Sequence, residues 1–242
     1  MIYLLASDAE TPFPDIELAE TEPNGLLALG GDLSTTRLIN AYRSGIFPWY
    51  NDDQPILWWS PDPRTVFFPG HLKVSRSLRK SIKRARFTAT FDHAFSDVIH
   101  ACSEPRNIEE ETWLNRSMIQ AYLELHQLGH AHSVEIWQDG KLVGGLYGVS
   151  LGGVFFGESM FSRENDASKL ALIHLANKLA EWNYKMIDCQ VHSPHLVTLG
   201  AIDICRRSFK KNLQRWCGQS HRQGSWKDEP KEHPKLPKSY KK

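Results

Sequence analysis

Apolar positions along the chain follow two rhythms, separated by turn formers. At helical spacing, Leu38, Ile39 and Tyr42 recur behind Ser34, a residue able to cap a helix, and the pattern stops at Gly45. The same periodicity predicts helices over residues 74–85, 93–102, 115–128 and 167–181. Apolar runs and alternating stretches predict strands over 131–138, 141–149, 153–160 and 186–191. Strands, then a helix, then a strand imply an antiparallel sheet continued by a parallel crossover, an α+β fold. Before about residue 62 the chain reads differently, with Pro, Gly and aromatic side chains crowded together. Residues 1–62 are therefore expected to form a small loop-rich domain, and residues 63–217 a mixed-sheet domain. From 218 to 242 Pro, Lys and Ser dominate, and Trp226 is almost the only apolar side chain. A disordered basic tail is expected there.

Composition changes this picture little. At 41% hydrophobic and 24% charged the chain is an ordinary globular one, and no run approaches the roughly 18 apolar residues of a membrane helix. The apolar start, from Met1 to Ala6, lacks a basic leader and does not read as a signal peptide. Cys102, Cys189, Cys205 and Cys217 lie far apart without a metal-like spacing, which fits a reducing cytoplasm. A net charge of +1 predicts no partner, but its distribution does. From residue 71 to 90 there are seven Lys or Arg side chains and no acid. On a helix, Arg76, Arg79, Lys80, Lys83 and Arg84 share one face, leaving Leu78, Ile82 and Ala85 for the core. A merely solvated face normally mixes in acids, so this one reads as a phosphate-binding surface for nucleic acid.

Several tryptophans stand beside turn signals. Trp58 and Trp59, inside an apolar run, read as core. Trp49, after Pro48, and Trp113, ahead of a helix, fit either core filling or stacking on unpaired bases such as the end of a tRNA. Two acids lie inside apolar strands. Alternation puts Asp188 and Gln190 on one face of a strand and Cys189 on the other. Glu158 is set among Phe155, Phe156, Met160 and Phe161. Buried acids need partners, so these belong either to ion pairs or to a polar site at the end of an apolar pocket. Other signals are weaker. Residues 29–32 (LGGD) lack the Lys–Ser/Thr of a phosphate loop, and His126, His130 and His132 show no ligand pattern and are expected at the surface. Cys189 has no His partner and reads as a packed thiol.

Five segments in order, residues 24–33 (NGLLALGGDL), 45–49 (GIFPW), 58–64 (WWSPDPR), 157–162 (GESMFS) and 188–190 (DCQ), resemble the signatures of bacterial leucyl/phenylalanyl-tRNA–protein transferases. The resemblance covers roughly residues 23 to 209. It implies an N-terminal domain joined to a catalytic domain similar to the GNAT acetyltransferases. It also implies donors charged with Leu, Phe and sometimes Met, and acceptor proteins beginning with Arg or Lys, which the added residue marks for degradation. By matched position, Trp49 and Trp113 would hold the terminal adenosine of the tRNA. Leu146, Phe155, Met160, Leu175 and Ile187 would line the pocket for the donor side chain, with Glu158 beside it. Leu146 and Leu175 stand where Met and Phe are expected in relatives, so the ranking of donors is open. Tyr42 and Tyr122 would belong to the acceptor side.

An aminoacyl ester is an activated donor, so its conversion to a peptide is expected to need no ATP, metal or other cofactor. The acceptor's α-amino group, with a pKa of about 7.7–8.0, needs only mild base assistance. Asp188 acting through Gln190 is one candidate for that proton. The tRNA's own ribose hydroxyls, with Gln190 only positioning, are the other. A CoA-dependent acetyltransferase is a poorer fit, because residues 162–169 (SRENDASK) carry acids and no Gly-rich phosphate cradle. A non-catalytic tRNA-binding module would leave Asp188, Gln190 and Glu158 without a purpose. A monomer is the simplest expectation.

Overall fold

The computed structural model describes residues 2–84, 87–105, 114–219, 222, 224–227 and 231–232, with the side chains of 81–84 and 231–232 outside that description. Two sheets organise them. The first has four strands, β1 (Tyr3–Leu5), β2 (Leu26–Gly30), β3 (Phe47–Pro48) and β4 (Leu57–Trp59), in the order β1-β2-β4-β3. Helix α1 (Thr35–Ser44) leaves this sheet as the sequence predicts. The Ser34 hydroxyl accepts from the Arg37 N–H, and Gly45 ends the helix at φ 81°, a conformation glycine reaches without a Cβ penalty. Trp58 is core, with its indole N–H on the Gly30 carbonyl at 2.9 Å.

The second sheet has eight strands. In chain order the elements are β5 (Arg64–Phe67), α2 (Arg76–Arg84), β6 (Phe87–Phe91), α3 (Phe95–Ser103), α4 (Arg116–Gln127), β7 (Ala131–Gln138), β8 (Lys141–Leu151), β9 (Val154–Ser162), α5 (Ala167–Glu181), β10 (Met186–Asp188), α6 (Pro194–Thr198), β11 (Ile202–Ile204), α7 (Arg206–Trp216) and β12 (Lys231–Glu232). Their order is β11-β5-β10-β9-β8-β7-β6-β12. Strands β6 to β9 pair antiparallel, and β10 joins β9 in parallel after the α5 crossover. The fold is α+β with a mixed sheet, as the element pattern implies.

A bulge in the β8–β9 ladder shapes the centre of the molecule. Tyr147 pairs with Ser159 but Gly148 pairs with Gly157, so Glu158 is the extra residue. A one-residue slip exchanges the faces of a strand. Phe155, before the bulge, and Met160, after it, therefore belong to the same core cluster, although simple alternation would part them. Gly148 permits the close approach: a Cβ there would collide with the Phe156 carbonyl oxygen and lie 2.6 Å from the Phe155 ring.

Three expectations are corrected by the structure. Strands β5, β6 and β11 form where none were predicted, because these short segments are stabilised by neighbours rather than by a local pattern, and helix α7 also forms unpredicted, although Phe209, Leu213 and Trp216 recur in it at helical spacing. The segment expected to be a disordered tail contains Trp226, which is fully buried. Its ring stacks on His132 at 3.7 Å and its backbone N–H donates to the Asp92 carboxylate at 2.7 Å, while β12 pairs with β6. A large apolar ring beside an open core edge is driven inward whatever the composition around it. His132 and His126 are likewise not surface groups. His132 is buried with Nδ1 2.9 Å from Asp92, and His126 stacks on Phe95 with Nδ1 2.8 Å from the Ala131 carbonyl.

Candidate active site

Strands β9 and β10 run in parallel and their ends open a cavity of about 430 Å³. Leu146, Phe155, Met160, Leu175 and Ile187 all line it, with Glu158, Cys189 and Gln190 among the other walls. The five apolar residues singled out from the sequence thus meet in one place. A second, smaller cavity of about 140 Å³ adjoins it, walled by Phe47, Pro48, Trp49, Glu158, Gln190 and Val191. Glu158, Gln190 and Val191 are common to both. Trp49 is 45% exposed, and its ring leans on Trp59 at 5.8 Å. An open aromatic face of this kind suits stacking rather than core packing.

Glu158 is held from two sides. Tyr122 donates to Oε2 at 2.7 Å, and Tyr42 donates to the Tyr122 hydroxyl at 2.5 Å. The Gln190 side-chain amide donates to Oε1 at 3.1 Å. Burial pushes this carboxyl up to about 7; the tyrosine hydrogen bonds pull it down, and the charge of Asp188 pushes it further up. The group therefore changes charge in the range where an α-amino group is partly neutral.

Asp188 is placed differently from the expectation. Arg64 grips it as a fork, Nε to Oδ1 at 2.8 Å and a terminal nitrogen to Oδ2 at 2.7 Å, and the Gln190 N–H also donates to Oδ1 at 3.0 Å. Asp188 is fully buried, and neither cavity includes it among its walls. Strand β10 ends at Asp188 and Gln190 turns to φ 58°, so the alternation that would put both on one face is broken. Cys189 consequently lines the large cavity, its thiol pushed up by burial and by the Asp188 charge. Tyr42 and Tyr122 are also buried behind Glu158 rather than lining a cavity.

Arg64 is the residue that sequence reasoning missed. It is buried between the rings of Phe47 and Phe209, 4.9 and 4.5 Å from their centroids, and donates to the Gly45 carbonyl at 3.0 Å. The signal for it was the buried Asp188, which required a cation. On α2, Arg76 and Lys80 are exposed and Leu78 is buried, in keeping with a one-sided basic helix. Trp113 and the side chains of Lys83 and Arg84 lie outside the described residues.

An apolar cavity that ends on a carboxyl able to ionise near neutrality can take an apolar group beside a side chain able to accept or return a proton. Comparison with known proteins narrows the class. The sequence profile described as leucyl/phenylalanyl-tRNA protein transferase matches residues 66–214, and that of the same family's N-terminal domain matches residues 31–62. A leucyl/phenylalanyl-tRNA–protein transferase of Cellvibrio japonicus is 58% identical over 201 residues, covering 83% of this chain and 86% of its own. One from Nitrosospira multiformis is 54% identical over 226 residues, covering 93% and 97%. The chain belongs to the leucyl/phenylalanyl-tRNA–protein transferase family, and it is an aminoacyltransferase using aminoacyl-tRNA and protein substrates. Among solved structures, a GCN5-related N-acetyltransferase from Kribbella flavida aligns at a TM-score of 0.38 and 13% identity, over 66% of this chain and 57% of that one. No helix among the described residues is long and apolar enough to cross a membrane.

Proposed function

We propose that this chain moves Leu or Phe, and sometimes Met, from charged tRNA to the N-terminal Arg or Lys of acceptor proteins in the cytoplasm, acting as a monomer and marking its acceptors for degradation. One observation carries the reading: the apolar cavity and the Trp49 niche share Glu158 and Gln190. An aminoacyl-adenosine spanning the two would place its side chain among Leu146, Phe155, Met160, Leu175 and Ile187 and its base on Trp49. The ester would then lie beside Gln190 and Glu158. The basic face of α2, with Arg76, Arg79 and Lys80, is the proposed contact for the tRNA phosphates, and Lys83 and Arg84 extend it in sequence. Residues 1–62 and 63–217 are proposed as the two domains; the four-stranded sheet ends at Trp59 and the eight-stranded sheet begins at Arg64, which supports that division.

In the reaction, the acceptor's amine nitrogen bonds to the ester carbonyl carbon and the bond from that carbon to the ribose oxygen breaks. The amine loses a proton and the ribose oxygen gains one. Glu158, held near neutrality, is assigned as the group that takes up and returns this proton. Gln190 positions the reacting groups, and Asp188, neutralised by Arg64, fixes Gln190 through its backbone N–H. Tyr122 and Tyr42 orient the Glu158 carboxyl. Holding both substrates together lowers the entropic cost of the attack.

The test is transfer of radiolabelled leucine from leucyl-tRNA to a peptide beginning with Arg, beside an identical peptide beginning with Gly, without ATP or CoA. Label on the Arg peptide alone is expected. Tight tRNA binding with no transfer to either peptide would defeat the catalytic reading.

A further inference from the structure

Trp226 belongs to the same apolar cluster as Leu146, Phe155, Leu175 and Ile187, which wall the large cavity. It is not itself among those walls. Its ring stands behind one of them, 5.8 Å from the Phe155 centroid. Phe155 is confined on another side, because β8 passes so close that a Cβ on Gly148 would lie 2.6 Å from its ring. The indole is in turn fixed by its own neighbours. His132 stacks on it at 3.7 Å, Trp182 meets it edge-on at 5.0 Å, and its backbone N–H is tied to Asp92 at 2.7 Å. Two residues earlier, Gly224 packs so closely on Gly129 that a Cβ on Gly129 would come within 2.8 Å of it. The C-terminal segment is thus seated by close fit, with Trp226 as the one large apolar side chain between residues 218 and 232.

A ring in a close-packed core keeps its place only while the space behind it is filled. The room that a cavity offers is then set by the residues behind its walls as well as by the walls themselves. Behind Phe155 that residue is Trp226. We propose that Trp226 is a positioning residue for donor selection: by backing Phe155, the C-terminal segment fixes the size of the large cavity and so the relative use of Leu and Phe donors. This rests on the reading that the large cavity takes the donor side chain. Without the indole, the Phe155 ring can retreat from the cavity, and the bulkier donor gains.

The experiment measures kcat/KM for leucyl-tRNA and phenylalanyl-tRNA, with a peptide beginning with Arg, in the wild-type protein, Trp226→Ala, Trp226→Leu and Trp226→Phe. An apolar pocket discriminates one methylene by about tenfold or more, so a wall that yields by less predicts a shift of about threefold to fivefold toward phenylalanyl-tRNA in Trp226→Ala and Trp226→Leu. Trp226→Phe refills most of the space and should keep the wild-type ratio. Leu27→Ala, a buried change on β2 in the other core cluster, is the control, because loss of stability alone lowers both donors together and leaves their ratio unchanged. Where Trp226→Ala does not fold, Trp226→Leu carries the test below its thermal transition. An unchanged ratio in the folded Trp226→Leu protein, or the same shift in Leu27→Ala, would overturn the inference while leaving the donor reading intact. A wild-type protein that transfers from neither donor would remove the donor reading itself and this inference with it.

Discussion

Replacing Glu158 by Gln keeps the size of the side chain and removes its ionisation, which makes the variant a probe of both stability and catalysis. In the folded protein this carboxyl is raised from an ordinary 4.5 to about 7, chiefly by burial. Between those two values the folded chain still holds a proton that the unfolded chain has released. Stability must then fall as pH rises through that window and level off above it. At 1.36 kcal/mol per pH unit the fall amounts to about 3 kcal/mol. The Glu158→Gln protein has no such dependence, while every other titrating group is shared by the two proteins. The variant's stability relative to wild type should thus climb by about 3 kcal/mol from roughly pH 4.5 to 8. Urea denaturation of both proteins at about pH 5, 6, 7 and 8 measures this directly. Transfer should fall by a factor of about a hundred or more at pH 8, the usual scale for a missing general base. A difference in stability that stays flat across pH would refute the burial argument, and a variant with full transfer would refute the proton role.

Asp188→Asn leaves Arg64 with the Gly45 carbonyl and two aromatic faces but without its carboxylate, a change expected to cost about 3–5 kcal/mol. Its thermal transition should drop sharply, and its pH–rate profile should keep one limb, moved to lower pH because the Asp188 charge no longer pushes Glu158 up; a profile with no such limb at any pH would instead make Asp188 the base. Gly148→Ala drives a methyl group against the Phe156 carbonyl and the Phe155 ring, so overpacking of about 1–3 kcal/mol should appear in denaturation curves and KM for the charged tRNA should rise. Trp226→Ala empties a site shared with His132, Phe155, Trp182 and Tyr184, and about 3–5 kcal/mol should be lost in calorimetry. An unchanged transition would mean that the indole is not held there in solution.

What the sequence could convey depended on whether the cause was local. Helices α1, α4 and α5 and strands β7 to β9 were legible because period and capping chemistry lie in the residues themselves: Ser34 and Asn115 each cap with their own side chains. Strand β5, four residues long, owes its place to β10 and β11 on either side, and nothing in its own pattern announces that. The same limit applied at the site. Simple alternation puts Phe155 and Met160 on opposite faces, and only the bulge at Glu158 brings them together. For Asp188 and Gln190 alternation misled in the other direction, since the strand stops and Gln190 turns back. Trp226 escaped a reading by composition because composition describes a segment, whereas burial is decided by what one ring can reach.

The division of labour between the two acids follows from where their counter-charges stand. Arg64 lies on β5, and its fork spends both oxygens of Asp188 while its remaining nitrogen reaches the end of α1 at Gly45. That one side chain ties the large sheet to the segment that a few residues later carries Trp49. The spacing between the niche and the cavity is therefore set by this buried ion pair. Glu158 receives only neutral donors, from Tyr122 and Gln190, and among the described residues no cation is bonded to it. A carboxyl with neutral partners in a buried site is raised toward neutrality, and one locked to a guanidinium is not free to move protons. Rigidity and proton transfer are thus assigned to different acids by their partners, although both acids lie on neighbouring strands of the same sheet.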